Sequence, residues 1–269
     1  MMTPADGWTG LAILAAAAFL AGGVNAIAGG GTILTFPVLG AILPPGPGRL
    51  VSANATSTIG LWPASVVATW VSRESRGDLP GWARWLVMPS LLGGAIGTLL
   101  VLVLPPAWFD GLVPWLILSA AILFAIQPRV AAWVGGGGGD ATPGRLAAAC
   151  VLQLLVGLYG GYFGAGIGIL MIAMLGLLGL GDIRRLNAVK NSLAMAVNGI
   201  ATAVFAAGSL LGSHDVSWPH AGVMAAAGMA GSLAALRLAR RLPAATLRRI
   251  VAIIGFALAA YYFWRQWQS

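Results

Sequence analysis

The feature that most constrains this chain is a repeated pattern of apolar runs. Stretches of the length that crosses a bilayer, roughly 20 residues, recur from residue 8 to residue 264 with short polar breaks between them. The runs are Trp8–Ala28, Thr32–Leu43, Ser52–Val71, Trp82–Leu104, Phe109–Ile126, Arg145–Phe163, Ile167–Leu180, Asn187–Leu211, Trp218–Leu238 and Leu247–Trp264. Only 8% of the residues are charged, against about 25% in a soluble domain. So few charges cannot cover a water-exposed surface. The pattern predicts an all-α polytopic membrane protein with no room for a soluble domain.

The net charge of +8 would point to nucleic acid in a soluble protein. Here Lys and Arg fall almost wholly in the breaks between runs or at the run ends beside them, as the positive-inside tendency expects, so nucleic acid is not an expected partner. The lipid bilayer is. Cys150 is the single cysteine; it cannot form an internal disulfide and reads as inert packing. Leu11–Ala28 ends like a signal-peptide cleavage site, but Met1–Thr9 contains no Lys or Arg. The positive n-region of a signal peptide is missing, which makes the segment a membrane helix.

Five elements precede and five follow the tract Gly135–Asp140, which reads as a flexible linker. The expected organisation is a first repeat over 1–134, a linker over 135–144 and a second repeat over 145–269. Gly22–Leu34 aligns with Gly157–Ile169 without a gap, Asn54-Ala55 with Asn187-Ala188, Asp78 with Asp215, Gly93/Gly97 with Gly228/Ser232, and Leu104-Pro105 with Leu242-Pro243.

Loop charge then assigns orientation. The breaks holding Arg73, Arg76 and Arg84, then Arg129 and Arg145, then Arg184, Arg185 and Lys190, and finally Arg237 to Arg249 should be cytoplasmic. Those near Asp110 and near His214-Asp215 lack Lys and Arg and should face outward, with Arg49 a mild exception. Equivalent loops fall on opposite sides, so the repeats are expected to be inverted, with both termini outside an inner membrane. Inverted repeats suit alternating access.

Each repeat begins with a glycine-broken run: 22 to 32, containing Asn25, Gly29, Gly30, Gly31 and Thr32, and 157 to 168, containing Tyr162, Gly164 and Gly166. Each glycine costs about 1 kcal/mol in a helix interior relative to alanine, so the helix should break there. The pieces that follow are about a dozen residues long, too short for a hydrocarbon core of roughly 30 Å at about 1.5 Å per residue. Each pair is therefore expected to be a hairpin with its tip inside the membrane. A helix start at such a tip presents free N–H groups and a positive dipole end, which suits an anion. Close helix packing is the alternative use of such glycines, and it is the expected one for Gly93/Gly97 and Gly228/Ser232.

Polar clusters follow each hairpin. Asn54, Thr56 and Ser57 lie in the first half, and Asn187, Lys190, Asn191 and Asn198 in the second. Their amides and hydroxyls can replace an oxyanion's hydration shell, and Lys190 can offset its charge; capping and snorkelling are the structural alternatives. Six of the seven acids lie outside the apolar runs and the seventh, Asp110, is the second residue of one, so no intramembrane proton relay is evident. His214 and His220 lack companion ligands for a transition metal. No cofactor is expected, nor a buried nucleophile with its base. The tryptophans, Trp62 among them, read as interface anchors.

The paired motifs at 22 to 32 with Asn54-Ala55-Thr56, and at 157 to 166 with Asn187-Ala188-Val189-Lys190, resemble the TauE/SafE family of sulfite and organosulfonate exporters over nearly the whole chain. The resemblance implies movement of a small sulfur oxyanion such as sulfite, sulfoacetate or thiosulfate through a bacterial inner membrane. Ala165-Gly166 stands where many relatives have Pro-Gly, and Val189 where Thr is common, so the substrate stays open. A passive anion channel, an uptake carrier, and an intramembrane enzyme or assembly factor are the rival readings. Oligomeric state is not legible.

Overall fold

The computed structural model describes residues 4–27, 29–76, 79–134, 142–181, 183–238 and 244–268. Among them the architecture is all helical: α1 (Pro4–Ile27), α2 (Thr32–Ile42), α3 (Arg49–Arg76), a 3-10 turn (Gly81–Leu86) running into α4 (Val87–Val103), α5 (Pro106–Val134), α6 (Pro143–Tyr162), α7 (Ile167–Leu177), α8 (Ile183–Leu210), α9 (Trp218–Leu238) and α10 (Ala244–Gln268). These are the ten expected elements, with α3 and α5 several residues longer at both ends. The tract 135–141, with most of the expected linker, and Asp78 of the repeat alignment lie outside the described residues.

Five described stretches are long and apolar enough to cross a membrane: Gly7–Ile27, Gly81–Val103, Pro106–Val130, Pro143–Tyr162 and Arg185–Leu210. Large apolar side chains such as Ile13, Leu20, Leu99, Leu155 and Ile253 stand exposed on the outside of the bundle. In water such a surface would aggregate; against lipid tails it is the stable arrangement.

Glycine governs how closely the helices approach. A Cβ on Gly22 of α1 would overlap the Gly228 backbone of α9, and one on Gly93 of α4 would overlap the Leu154 carbonyl of α6. Gly97 likewise abuts Leu158, and the Ser232 hydroxyl donates to the Ala64 carbonyl across 3.2 Å. The close-packing use expected for Gly93, Gly97, Gly228 and Ser232 is what these positions show. The most extensive packings are α1 on α9 and α4 on α6, followed by α3 on α9 and α5 on α10.

The two short helices are 11 residues each, about 16 Å long at 1.5 Å per residue. Each folds back beside the helix before it. Segments 43–52, 101–106 and 212–217 gather at one end of the bundle. Ala83, Leu86, Leu146, Leu178 and Leu180 share a second apolar cluster with α7 and the first half of α8.

Candidate functional site

Both glycine breaks sit deep in the protein. Gly29, Gly30, Gly31, Gly164 and Gly166 are all buried. The helices resume at the expected positions: Gly31 is the residue before α2 and Gly166 the residue before α7, and neither start has a side-chain cap. Gly29, Gly30, Gly164 and Gly166 have φ between +77 and +96°, a left-handed conformation that costs other residues roughly 1–2 kcal/mol. The two breaks touch. A Cβ on Gly30 would come within 2.7 Å of the Gly166 Cα, and one on Gly29 within 2.7 Å of the Gly168 Cα. Only residues without side chains let two backbones cross this closely.

Polar side chains hold the crossing. Asn25 accepts a hydrogen bond from the Gly30 N–H at 3.0 Å and donates to the Ser65 hydroxyl at 2.8 Å. Asn198 donates to the same hydroxyl at 3.5 Å. A Cβ on Gly164 would find the Thr32 hydroxyl and the Asn198 amide oxygen within 3.9 Å, so Thr32, Gly164 and Asn198 face one another.

Each post-hairpin helix also reaches the break of the opposite half. Asn54 of α3 donates to the Tyr162 carbonyl at 3.0 Å, at the end of α6. Lys190 of α8 donates to the Ile27 carbonyl at 3.4 Å, at the end of α1. The last carbonyls of a helix lack intrahelical donors and carry its negative dipole end, so an amide and an ammonium are suited to those positions. Lys190 is fully buried. It does not snorkel toward an interface. The Asn54 Oδ1 and Tyr162 hydroxyl oxygens are buried with no protein partner, a condition that usually marks a place for water or ligand.

The remaining predicted residues are more scattered. The Ser57 hydroxyl lies 2.7 Å from that of Thr35 on α2. The Asn191 carbonyl accepts from Thr69 at 3.0 Å, and Asn187 is half-buried one turn before it on α8. Thr56 accepts from the Ser217 N–H at 3.1 Å, which ties it to the start of α9 and away from the breaks.

Sequence reasoning passed over Ser65, which links Asn25 to Asn198, and Tyr159, whose hydroxyl donates to the Ala165 carbonyl at 2.7 Å inside the second break. The repeat alignment could have found Ser65, because the spacing that relates Asn54 to Asn187 (187 − 54 = 133) also relates Ser65 to Asn198. Trp62 differs from the anchor expected. It is half-buried and its indole donates to the Met195 carbonyl across 3.3 Å.

A family model described as "Sulfite exporter TauE/SafE" matches residues 14–262, which span both breaks and every helix that holds them. The chain belongs to the TauE/SafE family. Two curated relatives are similar to it: a "Probable membrane transporter protein" of Haemophilus influenzae, 28% identical over 93% of both chains, and the "Probable membrane transporter protein ORF9" of a Sinorhizobium species, 29% identical over 65% of this chain and 64% of that relative. Membership in this transporter family, together with the apolar helices, makes this TauE/SafE protein a membrane transporter.

Proposed function

We propose that this protein exports a small sulfur oxyanion, such as sulfite, thiosulfate or an organosulfonate, across an inner membrane by alternating access, its binding site lying where the two glycine breaks cross. The observation that carries the reading is the meeting of two uncapped helix starts with the Asn25 and Asn198 amides, joined at the Ser65 hydroxyl, and the fully buried Lys190. Backbone N–H groups, helix dipoles and an ammonium all favour negative charge. The Lys190 ammonium would repel a cation.

Inverted repeats over 1–134 and 145–269 are part of this proposal. The support is that equivalent residues meet each other. Ser65 pairs with Asn198 and Trp62 with Met195, each pair 133 positions apart, as happens where a pseudo-two-fold axis passes between α3 and α8. The pairing of α1 with α9 is matched by that of α6 with α4, and Gly22 against Gly228 is matched by Gly157 against Gly93. A carrier is favoured over an open channel because the breaks press backbone to backbone and must part to admit an anion. A negative interior supplies about 2.3 kcal/mol per charge per 100 mV for outward movement of an anion.

The test is flux from proteoliposomes loaded with sulfite, thiosulfate, sulfoacetate or sulfate, comparing the native chain with Asn198→Leu. Saturable flux of at least one sulfur oxyanion, lost in the variant, is expected. Equal flux in protein-free vesicles and in the native preparation would overturn the reading.

A further inference from the structure

The bundle end that gathers segments 43–52 and 212–217 also holds a cavity of about 480 Å³ between the starts of α3 and α5 and the last turns of α10. Its polar lining is Arg49, Asp110, Tyr262, Arg265 and Gln266. A neighbouring cavity of about 500 Å³ shares Arg49 and continues to Ser52 and Asp215. Volumes of this size are typical of small-ligand sites.

A pair of arginines marks the first cavity. Among the described residues, Arg49 and Arg265 are the arginines that line this end of the bundle. Helix order requires it, since α3 begins and α10 finishes here. Arginine on this side works against the tendency that orients the chain, and the two exceptions line one cavity. Their charges both reach the carboxylate of Asp110 on α5 and the phenol of Tyr262. The lining of the first cavity thus sets two guanidiniums against one carboxylate.

The cavity is separated from the glycine crossing by a layer of rings. Tyr262 in its wall lies 6.4 Å from Phe36, centroid to centroid; Phe36 lies 6.3 Å from Phe109 and 5.4 Å from Phe163, and Phe109 lies 5.5 Å from Tyr162. Tyr162 and Phe163 are the residues that open the second break. The cavity, open to the surface at Asp110 and Arg265, is thus one aromatic layer away from the central residues.

We propose that this cavity is a second oxyanion site, in which the guanidiniums of Arg49 and Arg265 bind the anion and Asp110 is the internal counter-ion that it displaces. Guanidinium planes match the paired oxygens of sulfur and phosphorus oxyanions. A free sulfur oxyanion and a lipid phosphate present the same face. Occupancy by the transported anion rests on the reading given under Proposed function; the existence of the site does not.

The experiment titrates the delipidated full-length protein in neutral detergent with sodium sulfate, at ionic strength matched with chloride, and separately with phosphatidylglycerol, following calorimetric heat. Arg49→Gln and Arg265→Gln are each expected to weaken binding at least tenfold. Asp110→Asn is expected to tighten it several-fold, an outcome that misfolding cannot imitate. Sulfate binding with this pattern assigns a soluble anion, and the same pattern with phosphatidylglycerol alone assigns a lipid phosphate. Loss of binding in Asp110→Asn alongside the arginine variants, or no binding of either probe, would overturn the proposal. The central reading fails separately, through Asn198→Leu flux, so the two failures are distinguishable.

Discussion

Lys190 donates to the Ile27 carbonyl across 3.4 Å, from the first third of α8 in the second half to the last residue of α1 in the first. The bond places a buried positive charge at the broken end of a helix, beside the crossing of the two glycine breaks. Hydrogen bonds involving a charged group contribute about 1.5–3 kcal/mol. Two duties are superimposed here, donating to a carbonyl and supplying charge, and Lys190→Gln separates them because an amide still donates. Anion flux is expected to fall at least tenfold, worth about 1.4 kcal/mol of interaction, while the thermal midpoint of the purified protein moves by only a few degrees. Unchanged flux would reduce Lys190 to a helix cap.

The crossing itself has no room for a side chain. Gly30→Ala would set its Cβ about 2.7 Å from the Gly166 Cα while φ stays at +96°, so overpacking of roughly 1–3 kcal/mol adds to about 1–2 kcal/mol of left-handed strain. A clear drop in thermal midpoint and loss of flux are expected. Gly222→Ala on α9 meets nothing within 4 Å. In a helix that change is expected to be neutral or stabilising by up to about 1 kcal/mol, and equal damage from both variants would contradict the crossing.

Helix number, the two short helices and the positions of both breaks were legible in the sequence, because bilayer length and glycine clustering are local properties. Gly31 and Gly166 could be named as helix starts for the same reason. Partners across the molecule were not legible. Ser65 sits in an apolar run and looks like a small packing residue until Asn25 and Asn198 converge on it. Lys190 sits near a basic break, where a snorkelling lysine is the ordinary expectation, and only the fold brings the end of α1 to it. Arg265 passed unnoticed because nothing local ties it to Arg49, some 216 positions earlier (265 − 49 = 216).

Ser65 links the two halves through a single hydroxyl. Ser65→Ala would leave the Asn25 and Asn198 amide groups without that acceptor, and a buried group deprived of its partner costs about 1–3 kcal/mol. The sharper measurement is a double-mutant cycle on Asn25→Ala and Asn198→Ala, read by thermal unfolding. Residues in one network couple by 0.5 kcal/mol or more. Strict additivity would show that Ser65 does not connect them.

Side assignment can be checked with the chain's own lone thiol removed as Cys150→Ala. Gly46 and Gly81 both have open space around them; Gly46 lies in the segment before α3, and Gly81 opens the 3-10 turn that follows it in sequence. A thiol introduced at Gly46 is expected to react with a membrane-impermeant maleimide in intact spheroplasts, and one at Gly81 only after permeabilisation. Labelling of both from one side would contradict the topology on which the inverted repeats rest.

The loop before α9 should respond to acid. Burial holds the His214 imidazole below its ordinary value of about 6.5, and the charge of Asp215 opposes the shift without reversing it. Its Nε2 is buried without a protein partner, while Nδ1 lies 3.2 Å from the Ser213 hydroxyl and the ring packs edge-on to Phe205. A group whose folded value is depressed by burial of its neutral form binds fewer protons folded than unfolded. Stability therefore rises with pH between the folded value and about 6.5, is level above that, and is lost as pH falls through the window. Hydrogen exchange over residues 211–217 should thus accelerate between pH 7 and pH 5, after correction for intrinsic rates, and His214→Gln should flatten that dependence. If the variant retains the full acid response, the titrating group lies elsewhere.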